Sequence, residues 1–181
     1  MLIRVQDLEL RELALDEEFK PGTIDLGREV RQSGLLRVRA RAELIREHEG
    51  RTVVADIRLA GKLSGTVELN CARCLEQVEL RVARSFDLLY RPLVRERGAD
   101  EVSISRAETE IGFYSGDGLE LEDVLREQIL LEVPLKVLCG EDCKGLCPQC
   151  GKELNRDSCT CVPPAADSRW NALHGLKDKL Q

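Results

Sequence analysis

Eight cysteines arranged as four close pairs constrain this 181-residue chain more than any other feature. The pairs are Cys71/Cys74, Cys139/Cys143, Cys147/Cys150 and Cys159/Cys161. Two ligands a few residues apart can converge on one metal ion, and two such pairs complete a tetrahedral site of four thiolates. Eight thiols therefore make two sites, and the four pairs can be combined in three ways. The stretch Cys147-Pro-Gln-Cys-Gly-Lys152 reads as a zinc knuckle, with Gly151 relieving crowding behind the second cysteine, and a short loop returns to Cys159-Thr-Cys161. Cys147, Cys150, Cys159 and Cys161 then form one self-contained site. By remainder, Cys71 and Cys74 meet Cys139 and Cys143, so the fold must bring together two segments far apart in the chain.

Metal ligation is preferred over disulfides because of the expected compartment. The N-terminus alternates apolar with charged residues and lacks the apolar core of a secretory signal. No apolar run approaches the ~18 to 20 residues that span a bilayer. A cytoplasmic, membrane-free protein keeps its thiols reduced, and zinc is the expected cofactor. Catalytic readings lack their parts. A redox CxxC needs a helix N-terminus to lower its thiol pKa, whereas Cys71 and Cys74 lie between two strands. A nucleobase deaminase needs a His-x-Glu segment, which neither His48 nor His174 begins. Nucleotide phosphate loops of the GxGxxG or GxxxxGK[ST] type are missing too. The expectation is a protein that is not an enzyme, with a thiol-based redox or metal sensor as an alternative.

The middle of the chain alternates in the manner of a β-meander. Leu36, Val38, Ala40, Ala42 and Leu44 share one face of a strand, with Arg37, Arg39, Arg41 and Glu43 on the other. Odd positions from Val53 to Leu69 then carry no polar side chain, and Gly61 and Gly65 mark bends in one long strand. A third strand places Val78, Leu80, Val82, Phe86 and Leu88 together, interrupted by Arg84, so that Cys71-Ala-Arg-Cys74 is a hairpin tip. Short pieces at Leu2–Val5 and Ile111–Tyr114 suggest edge strands. A helix capped by Asp117, with Glu120 three residues on, carries Leu121, Val124, Leu125, Ile129 and Val133 to Pro134. A second begins near Asp167 or Ser168 and aligns Trp170, Leu173, Leu176 and Leu180. The predicted fold is α+β: a twisted antiparallel β-meander covered by two helices, with a small zinc-knuckle module. Its parts are a β-rich domain over 1–134, a cysteine-rich metal module over 135–162, and a C-terminal helix over 163–181 packing on the main domain.

The net charge of −6 hides segments of opposite sign: residues 1–27 carry −4, residues 28–62 carry +4, and residues 95–127 carry −6. Arg37, Arg39 and Arg41 project from one strand face about 7 Å apart, given a rise of ~3.3 Å per residue. That suits a run of phosphates, each gripped by a guanidinium fork, and Arg58 on the next strand extends the patch. Aromatics number only six, Phe19, Phe86, Tyr90, Phe113, Tyr114 and Trp170, so binding by base stacking is disfavoured and contact with the backbone favoured. The acidic segment suggests a different partner, a basic protein.

Leu-Asn-Cys-Ala-Arg-Cys-Leu at 69–75, the acidic helix ending at Pro134, and the run from Cys139 through Gly-Leu-Cys-Pro-Gln-Cys-Gly-Lys-Glu-Leu-Asn at 145–155 resemble the bacterial YceD family. Its members are also called large ribosomal RNA subunit accumulation proteins. The resemblance runs from the meander to the Trp170 helix. It implies a ribosome biogenesis factor that supports accumulation or processing of large-subunit (23S) ribosomal RNA. The implied partner is ribosomal RNA or a pre-large-subunit particle, with chaperoning of a basic ribosomal protein as the alternative. The knuckle is then a stabilising insert, and function sits on the strand surface.

Overall fold

A computed structural model describes residues 1–49, 52–93 and 111–162. In chain order its elements are β1 (Leu2–Arg4), α1 (Val5–Leu10), β2 (Leu13–Phe19), β3 (Arg31–Gln32), β4 (Leu36–Glu49), β5 (Thr52–Asn70), β6 (Gln77–Pro92), β7 (Gly112–Tyr114), β8 (Gly118–Glu120) and α2 (Leu121–Glu132). The three alternating runs are β4, β5 and β6, paired antiparallel in succession. They carry the larger sheet, ordered β2-β4-β5-β6-β7, with β3 on β5 beyond the end of β4. A second sheet pairs β1 with β8.

Alternation became layering as expected. Leu36, Val38 and Ala42 of β4, Ile57, Leu59, Leu63 and Val67 of β5, and Val82, Phe86 and Tyr90 of β6 are buried on one face. Leu121, Val124, Leu125 and Ile129 of α2 join the same cluster, so α2 covers that face. Arg84, which breaks the β6 pattern, turns to the helix, donating from Nε to Gln128 Oε1 at 2.8 Å and pairing with Glu132 at 3.2 Å. A Cβ at Gly61 would lie 2.5 Å from that of Ala40, and one at Gly65 2.3 Å from Leu36 Cδ2. Both glycines are therefore needed for β5 to lie close against β4.

Several expectations need correction. The sheet is mixed, because β7 runs parallel to β6. Parallel neighbours cannot be joined by a hairpin, and a three-residue strand carries too little pattern to reveal its direction. The helix that accompanies α2 among the described residues is α1, which packs Leu8 into the core; the one expected over 163–181 lies outside the described residues. Asp117 does not cap α2. Pairing of β8 with β1 holds residues 118–120 extended, so the helix starts at Leu121, with Glu120 at the N-cap and no side-chain cap. Val53 was expected to face the core but is 52% exposed. The pairing of β5 with β6 ends at Ile57 opposite Tyr90, and the earlier residues of β5 form a two-stranded ribbon with β4.

That end of the sheet also hides a charge. Asp56 is fully buried on the face opposite Ile57 and accepts from Arg91 Nε at 3.1 Å and Nη2 at 2.9 Å. Tyr114 of β7 donates its hydroxyl to the Ala55 carbonyl at 2.9 Å. A buried carboxylate is tolerable only with such a bidentate partner; Arg91 ties β5 to β6 here, and the Tyr114 hydroxyl ties β7 to β5.

Candidate metal centres

The structure gathers the eight thiols into two groups of four, the sets that the spacing had suggested. Cys71, Cys74, Cys139 and Cys143 bring their sulfurs within 4.8 Å of one another, as do Cys147, Cys150, Cys159 and Cys161. The first group is built by the β5–β6 hairpin tip. Leu75 N–H donates to the Cys71 carbonyl at 3.0 Å and Cys71 N–H to that of Glu76 at 2.8 Å, which curls the CxxC into a tight turn. Leu75 leaves the turn at φ 63°, a left-handed conformation unusual for a leucine. The segment after α2 is then sewn to this tip. Ala72 N–H donates to the Val137 carbonyl at 2.8 Å and Leu146 N–H to that of Arg73 at 3.1 Å. Arg73 Nη1 donates to the Cys143 carbonyl at 2.7 Å.

The sulfur spacing fits a metal. Cys71 and Cys143 Sγ atoms lie 3.8 Å apart and those of Cys74 and Cys139 3.5 Å. A tetrahedron with ~2.3 Å metal–sulfur bonds has edges of about 3.8 Å, whereas a disulfide needs ~2.05 Å. Backbone N–H groups of the turn, Cys74 first, hold the Cys71 thiol down at about 6. The side-chain amide of Asn155 draws Cys143 downward, whereas hydrogen bonding to Cys143 pushes Cys139 up to about 12. Thiols this close cannot all ionise without a cation, and a divalent ion would supply the missing charge.

The second group closes a single loop. Cys147 N–H donates to the Lys152 carbonyl at 2.8 Å and Gly151 N–H to that of Cys147 at 2.9 Å. The reason for Gly151 differs from the expected one: a Cβ there meets nothing within 4 Å, but φ is +71°, so backbone conformation and not crowding selects glycine. The Cys150 N–H holds the Cys147 thiol down at about 6, and hydrogen bonding to Cys150 pushes Cys161 up to about 12.

Asn155 joins the two groups and was missed from the sequence, where only its place at the end of the Gly145–Asn155 run singled it out. It sits inside the second loop, between Cys150 and Cys159, yet its Nδ2 donates to Cys143 Sγ at 3.4 Å and its Oδ1 accepts from Lys144 N–H at 2.8 Å. Cys74 also has Glu76 and Glu153 beside it. Arg156 ion-pairs with both carboxylates, so both already have a cationic partner.

The four candidate arginines share the outer face of the sheet, away from α2, each beside a carboxylate. Arg37 pairs with Glu18 at 2.8 Å, Arg39 with Asp16 at 3.2 Å, and Arg41 with Glu12 at 3.6 Å. These acids come from the −4 segment, part of which folds as edge strand β2 beside β4. Arg58 is held by Asp87 at 2.7 Å and Glu43 at 3.1 Å, and the Asp87 carboxylate raises the already high pKa of its guanidinium.

Comparison with known proteins places both cysteine groups inside a single match. The family model described as large ribosomal RNA subunit accumulation protein YceD covers residues 59–177. An uncharacterized protein of Mycobacterium tuberculosis is 30% identical in an alignment that covers 74% of this chain and 71% of that protein. The chloroplastic large ribosomal RNA subunit accumulation protein YCED homolog 1 of Arabidopsis thaliana is 24% identical over 69% of this chain, and that of Zea mays 29% over 59%. The chain spans less than half of each plant protein, 46% and 44%. No solved structure gives a significant match. Because the family model spans well over half of the residues, the chain belongs to the YceD family.

Proposed function

We propose that this YceD-family chain is a non-enzymatic factor for accumulation and processing of large-subunit (23S) ribosomal RNA, working in the cytoplasm with two structural zinc ions. The observation that carries the reading is the match to the large ribosomal RNA subunit accumulation family over residues 59–177, which encloses both cysteine groups. No helix among the described residues is long and apolar enough to cross a membrane. Cys71, Cys74, Cys139 and Cys143 would hold one zinc, and Cys147, Cys150, Cys159 and Cys161 the other. Each ion would be enclosed by four thiolates, the ligand set of a structural site rather than a catalytic one. Bound there, the metals supply rigidity: they fix the hairpin tip, and the segment after α2 on it. Contact with RNA falls to the outer face of the sheet, on the side away from α2.

Depleting the protein in its host and measuring the ratio of large- to small-subunit ribosomal RNA tests the reading. A fall in the large-subunit species is expected, and an unchanged ratio overturns it. A second reading, chaperoning of a basic ribosomal protein, is favoured by a depression of ≈ 450 Å³ at α2 and β7. There Phe113, Tyr90 and Leu130 are rimmed by three acids, Glu120, Asp123 and Glu127, against one cation, Arg126. Crosslinking in cells separates the two, since RNA or a basic protein would be recovered.

A further inference from the structure

The ion pairs on the outer sheet face sort its cations into two kinds. Arg58 is held by two carboxylates, Asp87 on Nε and Nη2 and Glu43 on Nη1. Lys62 has no ion-pair partner among the described residues, and its register neighbour across β4 is Arg39. Two like charges directly opposite each other on adjacent strands cost stability. Glu or Thr in place of Lys62 would remove that cost, so the lysine marks a place where charge is useful to something other than the fold.

The surroundings of Lys62 form a seat. Two rows run across three strands, Arg37–Ser64–Ala83 and Arg39–Lys62–Ser85. Their side chains line a depression of ≈ 670 Å³ in which no carboxylate takes part. Ser64, Ala83 and Ser85 are short, so the floor is low, and the two hydroxyls can donate upward. Arg37 and Arg39 flank it at 67% and 81% exposure. Ion pairs that exposed contribute little, and a polyanion can draw both guanidinium groups away from Glu18 and Asp16 at little cost. Arg41 and Arg58 lie outside the depression. Lys62, Ser64 and Ser85 also fall within the family-matched span, whereas Arg37, Arg39, Arg41 and Arg58 precede it.

We infer that the rows Arg37–Ser64 and Arg39–Lys62–Ser85 form the seat for the sugar–phosphate backbone of single-stranded RNA, with Lys62 as its centre. The inference rests on the proposed role in ribosomal RNA accumulation and replaces a four-arginine patch with a smaller, mixed site. Strands lie ~4.8 Å apart and alternate residues about 7 Å apart, so the seat has the footprint of one or two nucleotides of a single strand rather than of a duplex. No aromatic side chain lines it, so recognition reads phosphate and not base.

The test is binding of labelled single-stranded U20 and A20 RNA by the full chain across a series of salt concentrations. Lys62→Glu should weaken both RNAs at least tenfold, and Lys62→Ala should lower the salt slope by about one. Arg58→Ser should change affinity less than threefold. Thermal stability separates a lost contact from a damaged fold: Lys62→Glu places opposite charges at the Arg39 register pair, so its Tm should hold or rise. Wild-type affinity in Lys62→Glu, or equal losses in Lys62→Glu and Arg58→Ser, overturns the seat. If wild-type protein binds neither RNA while depletion still lowers large-subunit RNA, the seat fails and the proposed role stands. If Lys62→Glu loses RNA in solution but depletion leaves the ribosomal RNA ratio unchanged, the seat stands and that role fails.

Discussion

The two cysteine groups use the same four-thiol chemistry for different structural tasks. One joins residues far apart: Cys71 meets Cys143 across 72 positions and Cys74 meets Cys139 across 65. Three of its four cysteines are buried and pack with Val78, Leu138 and Leu146. The other group closes one local loop, and only Cys147 in it is buried. A clip closing a long loop removes more freedom from the unfolded chain than one closing a short loop. Identical ligands therefore predict unequal consequences: the first site belongs to the fold of the sheet, and the second is a self-supporting appendage that braces it.

The harshest way to break this contrast is to destroy the sheet and ask which site survives. Ile57 is fully buried against the α2 face, and Ile57→Asp buries an unpaired carboxylate there. The variant should be unfolded by circular dichroism at 25 °C. Zinc measured by elemental analysis should fall from two equivalents to one, because the second loop needs nothing from the sheet. Thr66→Asp, on the outer face opposite Arg81, should keep its fold and both metals. Loss of both metals from Ile57→Asp would show that the second site also depends on the sheet.

A milder comparison removes one ligand from each site. Cys71→Ser should release one zinc and cost about 3 kcal/mol, which for a chain of this size lowers Tm by roughly 10 °C. Cys150→Ser should also release one zinc, but with a fall in Tm of less than about 3 °C. Differential scanning calorimetry on freshly purified, untagged protein reads both. Equal falls would abolish the distinction between a structural clip and an appendage.

How much of this was legible in the sequence follows from what each residue depends on. Alternation over Leu36–Leu44 and Val53–Leu69 reports burial of one face directly, so the core of β4 and β5 could be read. The cysteine pairing was legible because tetrahedral ligation needs local pairs. Strand β2 escaped because Leu13 and Leu15 alternate for too few residues before Asp16, Glu17 and Glu18. Asp16 and Glu18 find their partners in Arg39 and Arg37 on β4, so the ion-paired outer face appeared only once the register was known. Arg84 broke its strand pattern, and Asp56 fitted the polar face without showing that it is buried, for the same reason: Gln128, Glu132 and Arg91 lie on other elements. Periodicity cannot show a partner that the chain supplies from elsewhere.

The finest test concerns the link between the sites. Asn155 is carried by the second loop but donates to a sulfur of the first, and its carbonyl oxygen fixes the Lys144 N–H next to that sulfur. Outer-shell partners of this kind typically contribute 10- to 100-fold to metal affinity by orienting the ligand they touch. Asn155→Ala should keep two zinc ions at saturation and change Tm by less than about 2 °C, because the residue is exposed and fills no part of the core. Chelator competition should nonetheless show one ion leaving 10- to 100-fold more readily. Cys150→Ser should weaken the remaining ion by a similar factor, since an unclosed second loop no longer holds Asn155 in place. Combining the two changes should then add little, as expected for a single shared path. Additive losses would mean that Asn155 acts on Cys143 without help from the second metal, and the two sites would be neighbours that do not communicate.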